Sequence, residues 1–133
     1  MHSLYRQRLV SAFGALDLIN DGDSIVLPTG VGEPPTLMTA LSEHRQRFKG
    51  VQIVQLLPMR SHSYLTPDTR GHVRHLSMFF SGVTRPGGQA GWIDWVPSNF
   101  SEIPSLIERG QMPCDVVFTL ASPMDERGNF SVS

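Results

Sequence analysis

Three short segments of this 133-residue chain carry residue types that could do chemistry. The first is Thr29-Gly30-Val31-Gly32-Glu33-Pro34. Its glycines allow a tight turn and close backbone approach to a ligand, and a helix start just after it would present N–H groups to an anion or oxyanion. A dinucleotide fingerprint would need a third glycine where Pro35 stands, and no acidic residue ends the next apolar run to hold a ribose. A plain strand-to-helix turn accounts for the residues equally well. The second segment is Ser98-Asn99-Phe100-Ser101, where one of the two serines is expected to cap a helix and the Asn99 amide could meet a carboxylate or carbonyl. The third is Ser122-Pro123-Met124-Asp125-Glu126-Arg127-Gly128, which reads as a tight connection with Gly128 at positive φ and Asp125 bonding its own turn.

Other reactive side chains point away from chemistry. His72 and His75 are an odd number of positions apart in a predicted strand and so face opposite ways, and His62 stands in a loop with no ligand at metal spacing, so no metal site is expected. Cys114 lacks a basic activator in sequence and reads as a small core or surface residue. No serine elbow occurs. Trp92 and Trp95 are also an odd number apart, placing one toward the core and the other toward a helix layer or a partner.

The elements that must position these segments follow from pattern. Leu9, Phe13, Leu16 and Ile19 recur at helical spacing, predicting an amphipathic helix over roughly residues 4–19 that ends in the turn Asn20-Asp21-Gly22-Asp23. Ser24–Leu27 is a short apolar strand of the kind buried on both faces of a parallel sheet. Pro34 and Pro35 fit only at a helix start, and Leu37, Leu41 and His44 then share a face. Val51–Leu57 and Val73–Phe80 are further strands, separated by a polar loop from Pro58 to Gly71. Arg85-Pro86-Gly87-Gly88 should break any helix, leaving a short or irregular connection to a strand at Trp92–Val96. A helix follows that tolerates Pro104 in its first turn and closes with Gly110, and then a buried strand at Val116–Leu120. Strands alternating with helices predict an α/β fold, an open, mostly parallel sheet with helices on both faces.

Composition narrows the classes. A hydrophobic content of 40% with 17% charged residues fits one globular domain, and a net charge of −1 leaves no footprint for nucleic acid or an anionic membrane. A single cysteine excludes an internal disulfide and fits a reducing compartment, with cytoplasm as the default. No apolar run approaches the about 18 residues of a membrane span. Phe130-Ser131-Val132-Ser133 looks like a strand just beginning, which suggests a piece of a larger protein.

Val96, Pro97, Phe100, Ser101, Glu102, Pro104, Leu106, Gly110, Pro113, Asp115, Ser122, Pro123, Asp125, Glu126, Gly128 and Ser131 together resemble the amino-terminal domain of the acetyl-CoA hydrolase/transferase family, which includes 4-hydroxybutyrate, butyrate and succinate CoA-transferases. Gly22-Asp23 and Gly30-Val31-Gly32-Glu33-Pro34 resemble that family's first strand and glycine loop, while Arg60–Gly91 matches least. The resemblance implies a CoA-transferase-like (NagB/RpiA-like) three-layer architecture, with residues 1–133 forming a single domain and the catalytic carboxy-terminal domain absent. It implies transfer of CoA between a short-chain acyl-CoA and a carboxylate acceptor through a glutamyl-CoA thioester, on a glutamate that no position here matches. Glu33 is therefore expected to be loop-orienting or solvent-exposed rather than a nucleophile, and Glu126 a turn residue. Gly30, Val31, Gly32, Glu33 and Pro34, with Ser98, Asn99, Phe100 and Ser101, would line the acyl-CoA cleft. CoA would be a substrate and no cofactor is implied. Partners would be the other domain or a second subunit, and copies of the complete protein. The rival readings are an acyl-CoA hydrolase and a non-catalytic module that binds CoA thioesters or a partner. A sugar-phosphate isomerase lacks support, because no phosphate-clamping cluster follows a strand.

Overall fold

The computed structural model describes residues 3–132; Ser133, on which part of the terminal strand expectation falls, lies outside them. Five parallel strands form one sheet: β1 (Ser24–Leu27), β2 (Val51–Gln55), β3 (Val73–Ser77), β4 (Ile93–Trp95) and β5 (Val116–Val117), in spatial order β4-β3-β2-β1-β5. Four positions stand in register across four strands, Ile25 beside Ile53, His75 and Ile93. Because side chains alternate along a strand, this row and the Leu27–Gln55–Ser77 row share one face. That face packs with Leu16, Met38, Leu41, Phe48 and Tyr64 in the main core. The opposite face carries Val26, Val54 and Leu76 and packs against Ile103, Leu106 and Ile107.

The helical elements are short: α1 (Ser3–Arg8), α2 (Ala12–Ala15), α3 (Pro35–Glu43), α4 (Arg85–Gln89) and α5 (Ile103–Glu108). The single helix expected over 4–19 is broken. Ser11 adopts an extended conformation and its hydroxyl accepts the Gly14 N–H at 3.0 Å, capping a new turn, and residues Leu16–Leu18 tighten into a 3₁₀ turn. Leu9 and Phe13, counted toward the core by their spacing, are 63% and 50% exposed. The helix expected to be broken at Arg85–Gly88 does form, as α4, with Pro86 in its first turn. Its glycines serve packing: a Cβ on Gly87 would strike Ile93 and Trp92, and one on Gly88 would strike the Phe80 ring. The expected strands exist; β1 has the expected bounds, and the other four are shorter than expected, β5 being two residues long.

Neither Ser98 nor Ser101 caps the last helix. The carboxylate of Glu102 instead accepts the N–H of Asn99 at 3.1 Å and its side-chain amide at 3.1 Å, and Glu102 N–H donates to Asn99 O. Ser98 Oγ is buried without a partner. Asn99→Ala, which removes this exposed amide–carboxylate bond and keeps the backbone ones, is expected to cost about 0.5–1 kcal/mol, read as a lower urea midpoint. Gly110, at φ 67°, closes α5 as expected. Residues 121–132 fold back on themselves: Ala121 bridges Val132 antiparallel, and Asp125 Oδ1 accepts the N–H groups of Arg127 and Asn129. Of the expected beginning strand, Val132 forms an isolated antiparallel bridge with Ala121.

Candidate functional site

Open α/β sheets bind ligands outside the carboxyl ends of their strands, at the point where the strand order reverses. Here the chain runs β1 to β4 in one direction and then returns to place β5 on the other side of β1. The reversal lies between β1 and β5. The glycine loop leaves the end of β1, and the chain beyond β5 joins it, Leu120 N–H donating to Gly32 O at 3.3 Å. Ser98–Ser101 follows β4 at the far edge of the sheet, three strands away.

Residues Gly30–Gly32 form a 3₁₀ turn, and Gly30 takes a φ of 55°, which a side chain tolerates poorly. Gly30 also lies under Met59, whose Sδ would be 3.4 Å from an added Cβ. Gly32 N–H is spent on Thr29 O at 3.2 Å, while the N–H groups of Gly30 and Val31 meet no acceptor among the described residues. Successive free N–H groups on a turn are the kind of donors that can meet an oxyanion or carbonyl oxygen. Val31 is 82% exposed.

Glu33 is not solvent-exposed, as one alternative had it: its exposure is 0%. Gln55 Nε2, at the end of β2, donates to Glu33 Oε2 at 2.8 Å and to Pro28 O at 3.0 Å. His62 Nε2 meets Oε1 at 2.6 Å. Burial pushes the Glu33 carboxyl up, but the hydrogen bonds from His62 and Gln55 and the charges of His62 and Arg60 outweigh it, so its pKa lies below the ordinary value. The carboxylate is held ionised with a partner on each oxygen, which fits a loop-orienting role, and its complete burial keeps it from solvent.

Behind it, the His62 ring stacks on Tyr64 with centroids 5.8 Å apart, and the Tyr64 hydroxyl shares a 2.9 Å hydrogen bond with His75 Nδ1. Burial drives the His75 pKa down to about 3, so its ring is neutral, and burial with the nearby Glu33 charge raises that of Tyr64. His75 Nε2 is buried without a partner. His62, read as an isolated loop residue, is thus part of the polar cluster behind the glycine loop. Sequence reasoning missed Gln55 as well. Its signal was present: Gln55 continues the alternation of Val51 and Ile53, so a polar side chain occupies a core-facing position and must find partners there.

Ser98 and Asn99 line a separate groove of about 680 Å³ with Met78, Phe79, Phe80, Arg85, Trp95 and Glu102, and no residue of the glycine loop reaches it. Phe100 is 72% exposed and Ser101 is also exposed. Trp92 packs against the core and Trp95 is exposed. Among the described residues no three metal-ligating side chains cluster, and no helix is long and apolar enough to cross a membrane.

The wholly parallel sheet, packed on both faces and reversing its order between β1 and β5, defines a three-layer α/β domain. The model of the acetyl-CoA hydrolase/transferase N-terminal domain matches residues 1–133, and the chain belongs to that family. It is 39% identical over 132 residues to the succinyl-CoA:cyclohexane-1-carboxylate CoA transferase of Geobacter metallireducens, covering 97% of this chain and 29% of the relative. It is 33% identical over 132 residues to the 4-hydroxybutyrate coenzyme A transferase of Clostridium kluyveri, covering 98% of this chain and 31% of that protein. The crystal structure of RipA from Yersinia pestis superposes with a TM-score of 0.84 at 26% identity, over 97% of this chain and 32% of that one. The chain therefore spans about a third or less of the relatives it matches.

Proposed function

We propose that this chain is the amino-terminal domain of a CoA-transferase that exchanges CoA between a short-chain acyl-CoA and a carboxylate acceptor. The observation that carries the reading is the pair of unpaired donors, Gly30 N–H and Val31 N–H, at the order reversal of a sheet whose family relatives are named CoA transferases. In the step these donors suit, a glutamate carboxylate from outside this chain attacks the thioester carbonyl. The carbonyl oxygen gains negative charge and is stabilised by the two N–H groups. The carbon–sulfur bond breaks, CoA leaves as thiolate and an acyl-glutamyl anhydride remains. The thiolate then attacks the glutamyl carbonyl, expelling the carboxylate and leaving a glutamyl-CoA thioester, from which an incoming carboxylate takes CoA by the reverse sequence.

Glu33 does not serve as that nucleophile in this reading, because its oxygens are committed to Gln55 and His62. Ser98–Ser101 is the weaker half of the proposed cleft, since the Asn99 amide is turned onto Glu102. The glutamate and most of the CoA contacts come from a second domain of the same protein or a second subunit, the complete protein assembles with copies of itself, and it works in the cytoplasm, where Cys114 stays reduced. CoA enters as substrate, without a cofactor.

The test is butyryl-CoA turnover by the full-length protein with and without acetate. Acetyl-CoA formation that requires acetate, with a CoA adduct on the intact protein, is expected. Equal release of free CoA without acetate would replace transfer by hydrolysis, and binding without turnover would make the protein a CoA-thioester-binding module. Residues 1–133 alone are expected to turn over nothing.

A further inference from the structure

Apart from the Leu120 N–H donated to Gly32 O at 3.3 Å, the backbone gives the Thr29–Gly32 turn little to hold its shape. Its one internal hydrogen bond is Gly32 N–H to Thr29 O, and Val31 stands out into solvent. Its two ends are tied from below by one side chain: the two N–H bonds of the Gln55 amide go to Pro28 O, just before the turn, and to Glu33, just after it. The second Glu33 oxygen is taken by His62 from the loop that follows β2. A carboxylate buried only for stability would be poorly chosen, since well-packed apolar groups serve as well or better. What the charged hydrogen bonds supply is direction, because each fixes the carboxylate, and with it the backbone it grows from, at a set angle.

We propose that Glu33, Gln55 and His62 form a clamp that aims the Gly30 and Val31 N–H groups at the reacting carbonyl, which makes Glu33 and His62 positioning residues for CoA transfer. The proposal rests on the transferase reading given above. The clamp touches no substrate; it acts through the backbone, and donor direction matters most where charge develops on the carbonyl oxygen, so its loss appears in kcat rather than in KM.

His62→Ala leaves one Glu33 oxygen without a donor, whereas His62→Gln keeps an N–H able to reach it. In the full-length protein, with butyryl-CoA and acetate, His62→Ala is expected to lower kcat about 10²-fold with KM changed by less than about threefold. His62→Gln should recover about tenfold of that loss. Hydrogen exchange of the peptide spanning residues 28–34, followed by mass spectrometry on the same proteins, should quicken in His62→Ala and return toward wild type in His62→Gln. A kcat within about twofold of wild type in His62→Ala, or equal losses in both variants with unchanged exchange, overturns the clamp. If the wild-type protein transfers no CoA, the transferase reading fails separately. The exchange comparison then decides on the clamp alone, and unchanged exchange in His62→Ala overturns it.

Discussion

Glu33→Ala is expected to lower stability by about 3–5 kcal/mol, because it removes one member of a buried charged cluster and takes an acceptor from each of its partners. Glu33 is fully buried, and the donors that lose it are Gln55 Nε2 and His62 Nε2. That magnitude approaches the whole stability of many domains. It is read as a fall in the urea midpoint with an unchanged slope. The sign of the accompanying pH dependence follows from two groups. Glu33 has a pKa lower in the folded chain than its ordinary value, so the stability it contributes is complete above the unfolded-state value and is lost as pH falls through the folded one. His75, neutral in the fold with a pKa near 3, opposes protonation in the same direction, so unfolding takes up a proton between the ordinary histidine value and that limit. Wild-type stability should therefore decline on acidification from neutrality, by up to about 1.4 kcal/mol per pH unit for the one His75 proton. Glu33→Ala should keep the histidine part of that decline and lose the part at lower pH.

Tyr64→Ala is the second large effect, about 3–5 kcal/mol from the cavity and the lost apolar burial. The side chain is 2% exposed, stacks on His62 and bonds His75 Nδ1. Tyr64→Phe isolates the polar share: the ring stays, but His75, whose Nε2 is already unpartnered, loses its remaining hydrogen bond. The expected cost is about 1–3 kcal/mol, the penalty for leaving a buried polar group unmet. Urea midpoints of the two variants, compared with wild type, check both values, and equal losses would place the whole effect in the hydrogen bond.

Tyr64 also shows why sequence reading stopped where it did. The strand cores of the fold were legible, because Ser24-Ile25-Val26-Leu27 and Val116-Val117 are short, largely apolar, β-branched runs between turn residues, and length with those boundaries identifies such runs. The segment from Pro58 to Gly71 was legible as a loop but not as a covering layer. Two of its apolar residues, Tyr64 and Leu65, are adjacent and without period, yet both are buried in the main core. Whether such a loop folds onto the sheet depends on partners distant in sequence, here His75 and Glu33. For the same reason the glycine loop could be placed from Gly30 and Gly32, while the side chains that hold it, Gln55 and His62, could not. The broken first helix failed through local competition: Ser11 offered the Gly14 N–H an alternative acceptor, and side-chain capping outweighed the apolar spacing on either side. At Arg85–Gly88 composition misled in the opposite sense, because glycines that disfavour a helix in isolation let this one lie against Phe80, Trp92 and Ile93.

The strand order carries a consequence for how the chain acquires its structure. β1 is made first of the five strands and sits inside the sheet, but the neighbour on one of its sides is the fifth. The contact that closes that side, Asp115 accepting the Ser24 N–H at 2.8 Å, joins residues 91 positions apart. At translation rates of 5–20 residues per second, β1 therefore waits roughly 5–20 s with one row of backbone groups unpaired. Ser24-Ile25-Val26-Leu27 is apolar and uncharged, the kind of edge that pairs with foreign strands. Synthesis thus opens a window for misassembly that the native fold later shuts, and its length is set by topology rather than by the stability of the finished domain.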